Sequence, residues 1–392
     1  MSSSDLHGQD GNASGPARVL VDLDAIAANV SALCRRVGDT AVLAVVKADA
    51  YGHGLVPSAR AALGGGATWL GTAQIGEALA LRAAGVDAPL LAWLYAPGAP
   101  FRQAVEADID LGVSAPWALV EIAEAAAHAG RPARIHLKID TGLARNGAFG
   151  AGVDELIEAA ARTQDGGRVR VVGIMSHFAR ADEPGEPSIR GQQDRFEAVY
   201  EQAQRAGLGI QIRHLANSAA VLTNPSASYD LVRPGLAIYG LSPVPQLGTP
   251  EDFGLRPAMR VAVDVALVKD IPGGQGVSYG HTYTTVGATR VVLLPIGYAD
   301  GVPRGASNCA PVSLDGRHLR ISGRVCMDQL VVDVGDLPVR PGDEAILFGD
   351  AGRGEPTAQE WADATGTISY EIVTRMSSRL PRSYAGAAAW SL

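Results

Sequence analysis

The residues best suited to chemistry in this sequence begin with a lysine that follows an apolar run. Residues 42–46 are apolar and mostly branched, as in a buried strand, and Lys47 follows them directly. The next residues include Asp49, Tyr51, His53 and two glycines, a turn composition that ends the strand and brings polar groups near the amine. An isolated lysine of this kind is usually a surface residue. The pattern therefore predicts an amine held at the rim of a sheet.

The residues around this lysine resemble a motif of a known enzyme family. AVLAVVKADAYGHG, residues 41–54, is similar to the cofactor-lysine motif of the alanine racemases, V-V-K-A-[DN]-A-Y-G-H-G. The resemblance implies an enzyme that uses pyridoxal 5'-phosphate, with Lys47 as the covalent attachment point and as one of two catalytic bases. It also implies that Tyr51 contacts the cofactor.

A loop arginine and a strand lysine are the next candidates. RPARIHLKIDTGLARNG, residues 131–147, predicts a strand and then a glycine-containing loop, where a lone arginine would be an ordinary surface residue. The segment is similar to the family's K-x-D-T-G-x-x-R-x-G loop, which implies that Arg145 contacts the phenolic oxygen of the cofactor and the substrate. The resemblance also marks Lys138 as a candidate for carbamylation, which would make it a carboxylate that positions Arg145. Ala144 departs from the family, because many members have glycine there.

A histidine follows a later apolar run, the predicted strand 169–175. In GIMSHFARAD, residues 173–182, a structural histidine would be the usual interpretation. The resemblance implies instead that His177 lies between the cofactor-binding arginine and the catalytic tyrosine, and that Asp182 lies where substrate enters.

Two loops near the end of the first half predict a phosphate site. HLANSAA (214–220) and RPGLAIYG (233–240) follow the seventh and eighth predicted strands, where barrel enzymes often bind phosphate. A helix cap and a turn explain each string alone. Their combination predicts phosphate contacts from Asn217, Ser218, Gly235 and Leu236.

Arg233 bears on the type of reaction. The resemblance implies that Arg233 faces the pyridine nitrogen of the cofactor, and a guanidinium keeps its proton at neutral pH. The cofactor would then withdraw electrons weakly, which favours racemisation over transamination or decarboxylation. Barrel-type pyridoxal-phosphate decarboxylases have a carboxylate at that position, and they are the alternative that Arg233 disfavours.

The second half of the chain supplies the opposite base. GVSYGHTYT, residues 276–284, resembles the racemase segment that carries the second base, which implies that role for Tyr279, although a tyrosine in a β-rich domain is ordinary. Inversion of a stereocentre by proton transfer needs groups on opposite faces of Cα. Three further segments resemble the family. The first implies that Tyr298 and Arg304 line the substrate channel, and the second that Met327, with Asp328 beside it, contacts the substrate carboxylate. The third implies that Tyr370 contacts the phosphate and the channel.

A regular alternation of strands and helices must position the first set of residues. Eight apolar β-rich runs alternate with segments rich in Ala, Glu, Gln and Arg, which predicts an α/β fold, an N-terminal (β/α)8 TIM-like barrel, rather than an open sheet. The predicted strands are 42–46, 68–71, 90–94, 109–113, 134–139, 169–175, 210–215 and 229–232, and the predicted helices include 74–84, 116–128, 154–162 and 190–206. Barrel chemistry lies at the carboxyl ends of the strands, and those ends carry Lys47, Asp140, His177, Asn217 and Arg233.

Beyond about residue 250 the pattern becomes β-rich, with Gly, Pro and Asp turns. The predicted strands are 258–271, 290–295, 311–314, 318–322, 329–334 and 344–348. We therefore predict a disordered tail at residues 1–17, a cofactor-binding barrel at 18–248 and a mostly β C-terminal domain at 249–392, with the Pro/Gly-rich segment 240–252 as the linker.

Composition excludes several other classes. The net charge of -8 without a basic cluster argues against a nucleic-acid partner. Cys34, Cys309 and Cys326 have neither disulfide-framework nor zinc spacing, so no metal is expected and a reducing cytoplasm fits best. The first residues lack the apolar core of a signal peptide, and no apolar stretch approaches the roughly 20 residues that cross a bilayer. We expect no membrane association.

Seven segments from Lys47 to Tyr370 resemble the family in its own order. They imply an enzyme that interconverts L- and D-alanine and supplies D-alanine for peptidoglycan. They also imply a homodimer with shared active sites, in which Tyr279, Met327 and Tyr298 of one chain cover the barrel of the other. A non-catalytic pyridoxal-phosphate-binding barrel is the other class of interpretation, and the β domain with Tyr279 disfavours it.

Overall fold

The computed structural model describes residues 15–387, which divide into two compact units. The larger unit contains Leu23–Ala258 with residues 386–387, and the smaller unit contains residues 15–22 with Met259–Ala385. Most of the predicted tail, residues 1–14, lies outside the described residues. No helix in the described range is long and apolar enough to cross a membrane.

The strands and helices of both units are short. In chain order the strands are β1 (Ala17–Asp22), β2 (Ala41–Val45), β3 (Trp69–Thr72), β4 (Leu90–Ala92), β5 (Ile109–Val113), β6 (Ala133–Lys138), β7 (Val169–Met175), β8 (Ile212–His214), β9 (Leu231–Val232), β10 (Met259–Asp264), β11 (Leu267–Ile271), β12 (Gly276–Val277), β13 (Tyr283–Thr284), β14 (Thr289–Leu294), β15 (Pro311–Leu314), β16 (Arg317–Arg320), β17 (Leu330–Gly335), β18 (Glu344–Phe348) and β19 (Arg382–Ala385). The right-handed α-helices are Leu23–Val37, Leu55–Gly64, Ile75–Ala83, Phe101–Glu106, Pro116–Ala129, Ala151–Asp165, Pro187–Arg205, Ser218–Thr223, Ala358–Thr365 and Ser369–Thr374.

The larger unit is a closed barrel of eight parallel strands. Their order is β8-β7-β6-β5-β4-β3-β2-β9. The ends of this order meet because the Asp230 N–H donates to the Arg213 oxygen at 3.1 Å and the Arg233 N–H donates to the Ala216 oxygen at 2.9 Å. Every residue of β5 is buried, as expected for a parallel strand covered on both faces. The prediction of a (β/α)8 barrel is confirmed.

The predicted barrel strands each overlap an observed one. The first helix shows why the layers pack, since Leu23, Ile26, Val30 and Leu33 recur at helical spacing and are buried on one face. Because the strands are parallel, the residues that follow β2, β6, β7, β8 and β9 lie at one edge of the barrel. The sequence pattern therefore placed the candidate residues on the correct elements.

The smaller unit is built from antiparallel pairs and one parallel pair. Its sheets have the orders β16-β15-β18-β10-β1-β19, β11-β14-β17 and β12-β13. The prediction that residues 18–22 begin the barrel is wrong, because β1 pairs with β10 antiparallel and with β19 parallel. Ala17, assigned to the tail by the sequence pattern, is the first residue of that strand.

The boundary between the units also differs from the predicted position after residue 248. The larger unit continues to Ala258. One reason is that the buried side chain of Asn29 accepts the Arg256 N–H at 2.8 Å and donates to the Arg256 oxygen at 2.9 Å. The single strand predicted for 258–271 is two strands, β10 and β11, which lie in different sheets.

Candidate active site

Lys47 is the second residue after the end of β2 and follows the buried Val46 in sequence. Burial lowers the pKa of the Lys47 amine, and the nearby charge of Arg145 lowers it further, while Glu77 acts in the opposite direction. A larger fraction of this amine is therefore neutral near pH 7 than for an ordinary lysine. A neutral amine is the form that attacks a carbonyl carbon.

The backbone after Lys47 makes a left-handed turn. Residues 48–51 all have φ values of 53–54°, a conformation that costs an L-residue about 1–2 kcal/mol each. Glu77 compensates part of this cost, since its carboxylate accepts the Ala48 N–H at 2.6 Å. Asp49 accepts the Leu55 N–H at 2.8 Å and closes the turn. Neither this conformation nor Glu77 follows from the sequence motif.

Tyr51 and the loop after β9 form a cradle with converging donors. The Tyr51 ring packs against Tyr239 with centroids 5.0 Å apart. Its hydroxyl lies where Gly235 lacks a side chain, because a Cβ there would be 2.4 Å from that oxygen. The N–H groups of Gly235 and Ala237 both point at Ser218 Oγ, at 2.8 and 3.3 Å. Converging backbone N–H groups beside a hydroxyl suit an anion.

Asn217 and Leu236 lie in the same two loops. Asn217 caps the helix Ser218–Thr223, with its side-chain oxygen accepting the Ala220 N–H at 3.1 Å. Leu236 is buried and begins a short 3-10 helix. The structure therefore brings together the four residues predicted for phosphate, although their role stays a prediction.

Asp140 organises the loop that carries Arg145. One carboxylate oxygen accepts the N–H groups of Gly142, Leu143 and Ala144 at 2.9–3.1 Å, and the other accepts the Arg145 N–H at 2.8 Å. Burial acts to raise the pKa of Asp140, but these four N–H groups outweigh it, so the pKa is lowered. Ala144 has a φ of 56°, which explains why glycine suits this position.

Lys138 and His177 lie among the same cations. Lys138 is 5% exposed, and burial, followed by the charges of Arg233 and Arg145, lowers its pKa to about 7. Burial and the charges of Arg233 and Lys138 also hold the pKa of His177 well below its usual value. His177 is therefore neutral at pH 7, and Lys138 exists in both protonation states.

Arg233 is held by neutral acceptors. Its terminal nitrogens donate to the backbone oxygens of His214 and Ser176, both at 2.6 Å, and of Leu215 at 3.3 Å. One terminal nitrogen also lies 3.2 Å from His214 Nδ1. Burial lowers the pKa of Arg233 to about 10, so the guanidinium remains charged at neutral pH. The contact with the His214 ring was not predicted.

Within the β unit, three predicted segments meet at Cys326. The hydroxyl of Ser278, next to Tyr279, lies 3.5 Å from Cys326 Sγ. The Tyr298 N–H donates to the Cys326 oxygen at 3.0 Å, and Met327 follows in sequence. Large side chains remain exposed here, with relative exposures of 71% for Tyr279, 54% for Met327 and 41% for Tyr298.

The remaining candidates lie on exposed or half-buried segments. Arg379 joins Asp328 to the Tyr298 loop, since its guanidinium lies 2.8 Å from Asp328 and 3.3 Å from Asp300. Arg304 begins a 3-10 turn, and Tyr370 lies in the helix Ser369–Thr374. Asp182 is exposed on the loop after β7. Their substrate, phosphate and channel roles stay predictions.

The chain joins a (β/α)8 barrel to a β unit. At the strand ends of the barrel, an activated lysine lies among buried cations. These features define a barrel enzyme that depends on an amine nucleophile. Comparison with known proteins identifies the family. The model of the alanine racemase N-terminal domain matches residues 21–243, and that of the alanine racemase C-terminal domain matches residues 258–384. The chain belongs to the alanine racemase family.

Individual relatives cover almost the whole chain. The alanine racemase of Streptomyces coelicolor is 56% identical over 96% of this chain and 97% of its own. That of Salinispora tropica is 58% identical over 94% of this chain and 98% of its own. The crystal structure of alanine racemase from D-cycloserine-producing Streptomyces lavendulae superposes with a TM-score of 0.95 at 54% identity, covering 96% of this chain and 98% of that one.

Proposed function

We propose that this chain interconverts L- and D-alanine with pyridoxal 5'-phosphate bound covalently to Lys47. The observation that carries the proposal is the Lys47 amine, which follows a barrel strand and has a pKa lowered by its burial and by the charge of Arg145. We further infer that its product serves peptidoglycan synthesis in a bacterial cytoplasm, where the three unpaired cysteines would stay reduced.

The residues around Lys47 fit this cofactor. Ser218 and the N–H groups that converge on it, with Asn217, Gly235, Leu236 and the Tyr51 hydroxyl, would hold the phosphate. Arg145 would contact the phenolic oxygen and the substrate carboxylate. Arg233 would donate a hydrogen bond to the ring nitrogen. When bound, pyridoxal 5'-phosphate would draw electrons from Cα of the amino acid attached to it.

Arg233 favours racemisation among the reactions open to such a cofactor. Its guanidinium keeps its proton at neutral pH even though burial lowers the pKa to about 10. The ring nitrogen would therefore gain a hydrogen bond but no proton, and electron withdrawal would stay weak. Prompt return of the proton to Cα would then exceed loss of carbon dioxide, which argues against the decarboxylase alternative.

Two bases would move the proton on opposite faces of Cα. The lowered pKa of Lys47 makes its neutral amine available on one face. The partner subunit's Tyr279 would act on the other face. A phenol with an ordinary pKa of about 10 needs neighbouring cations to act as a base, and the barrel supplies Arg145 and Arg233.

Lys138 would support Arg145 as a carbamate. Its pKa of about 7 leaves much of the buried amine neutral at pH 7, and a neutral amine is the form that adds carbon dioxide. The carbamate would replace a cation beside Arg145 with an anion and so orient the guanidinium.

Reductive trapping tests the assignment of Lys47. The chain has only three lysines, Lys47, Lys138 and Lys269, so borohydride reduction of the cofactor-loaded protein and peptide mapping give an unambiguous label. We expect the label on Lys47 alone. Lys47→Ala should lose at least about a thousandfold in D-alanine formation, while Lys269→Ala, on the exposed face of β11, should not. A label on Lys138 or Lys269 would refute the proposal.

A further inference from the structure

A chain of buried polar side chains crosses the barrel and ends at Arg233. Asp110 lies on β5, His136 on β6 and His214 on β8, and each is at most 3% exposed. His136 Nε2 lies 3.0 Å from Asp110 Oδ2, and His136 Nδ1 lies 2.8 Å from His214 Nε2. Arg233 Nη1 lies 3.2 Å from His214 Nδ1. The sequence motifs assign no role to Asp110, His136 or His214, although His136 lies within residues 131–147 and His214 begins the segment 214–220.

The neighbouring strands are shaped to accommodate this chain. Gly173 on β7 lies against the His136 ring, because a Cβ there would be 2.1 Å from Nδ1. At the far end, Arg134 donates to both oxygens of Asp110, at 2.7 and 3.1 Å. Burial acts to raise the pKa of Asp110, but the hydrogen bonds from His136 and Arg134 and the charge of Arg134 outweigh it and lower the pKa. Asp110 is therefore an ionised acceptor.

Arg233 and Asp110, at the two ends of the chain, allow hydrogen-bond donation in one direction only. A guanidinium has no acceptor, so His214 Nδ1 must accept from Arg233. Burial, with the charge of Arg233, holds the pKa of His214 well below its usual value, so the ring is neutral and its proton is on Nε2. That N–H donates to His136 Nδ1, and His136 Nε2–H then donates to the carboxylate of Asp110.

We propose that Asp110, His136 and His214 are positioning residues that orient Arg233 through this one-directional chain. The contacts of Arg233 engage both terminal nitrogens and leave Nε–H as the donor for a ligand. A reversed chain would turn an N–H of His214 toward a guanidinium N–H, and the two donors would repel. The inference rests on the proposed function, since the ligand is the ring nitrogen of pyridoxal 5'-phosphate.

Histidine tautomers test the chain without reference to catalysis. In the cofactor-loaded protein labelled with ¹⁵N-histidine, two-bond ¹H–¹⁵N correlation spectra distinguish Nε2–H from Nδ1–H. We expect His136 and His214 both to be neutral with the proton on Nε2. A proton on Nδ1 of either ring would overturn the proposal, even in an enzyme that binds the cofactor and racemises alanine.

Asp110→Asn tests the effect on the cofactor. The amide keeps one acceptor oxygen but turns an N–H toward His136 or Arg134, which are both donors, so the terminal acceptor of the chain is weakened. With ¹⁵N in the cofactor ring, we expect the ring-nitrogen signal to move away from the protonated form and toward that of a free pyridine nitrogen, because Arg233 Nε–H is no longer held toward it. Turnover should fall about tenfold with KM little changed, the scale at which supporting hydrogen-bond partners act.

Asp230→Asn is the matched control, because Asp230 is also an aspartate paired with an arginine in the barrel, Arg213, at 2.9 Å. The Asp230→Asn substitution should change neither the ring-nitrogen signal nor the turnover. An Asp110→Asn protein that behaves like this control would overturn the proposal. If the ring nitrogen is already protonated in the wild-type enzyme, the role of Arg233 in the proposed function is refuted. That protonation would be observed even if the histidine tautomers are the expected ones.

Discussion

Lys138 shows how strongly the barrel interior changes an amine. Burial and two arginines lower its pKa to about 7, whereas a solvated lysine has a pKa of about 10.4. The neutral fraction therefore rises steeply through pH 7. Burial and the same arginines hold His177 neutral, and the Arg145 N–H donates to the Asp140 carboxylate.

Carbamylation of Lys138 should follow this titration. At constant dissolved ¹³C-labelled carbon dioxide, we expect a carbamate signal in the wild-type enzyme that is at least about tenfold weaker at about pH 6 than at about pH 8, because only the neutral amine reacts and each carbamate formed releases a proton. Lys138→Gln should abolish the signal. A carbamate that persists in that variant, or none at about pH 8, would contradict the account.

At the residue scale, the sequence singles out candidates that stand in contiguous motifs. Lys47 and Arg233 stand beside glycines and tyrosines in segments long enough to identify. Asp110 is the one polar residue of β5, and His136 alternates with Arg134 and Lys138 on β6. Nothing in the sequence shows that Asp110 and His136 face each other. Their partners lie on other strands, 26 and 78 residues away in sequence.

At the scale of elements, periodicity was sufficient for the parallel strands. All five residues of β5 are apolar, glycine or a buried aspartate, and helical spacing was clear for Pro116–Ala129. β1 was missed because a strand that pairs with β10, more than 200 residues later, has no local partner to reveal it. The left-handed turn after Lys47 was missed because local propensity disfavours it.

The loop before Arg145 provides a test of backbone strain. Ala144 has a φ of 56°, while the exposed Ala206, at the end of a helix, has a φ of -78°. Changing either residue to glycine adds the same freedom to the unfolded chain. The Ala144→Gly protein should therefore have a free energy of unfolding about 1 kcal/mol higher than the Ala206→Gly protein, measured by urea denaturation. Equal stabilities would mean that Ala144 is unstrained.

At the scale of the whole molecule, the β unit leaves an unusual set of side chains exposed. Tyr279, Met327 and Ile368 have relative exposures of 71%, 54% and 59%. The segments of Tyr279 and Met327 meet at Cys326, and grouped exposed apolar side chains often mark a protein interface. A carbanion also needs a site from which water is excluded. These facts support the proposed homodimer, in which the β unit of one chain covers the barrel of the other.

Mixed dimers test this account most directly, because they involve both proposed bases. Lys47→Ala and Tyr279→Ala homodimers should each be nearly inactive. When an equimolar mixture is denatured and refolded, half of the dimers should be mixed, and each mixed dimer has one intact and one doubly defective site. Activity should then return to about a quarter of the wild-type level. Differential tags would confirm that mixed dimers form. If they form and activity stays at the level of the two parents, Lys47 and Tyr279 do not act together across subunits.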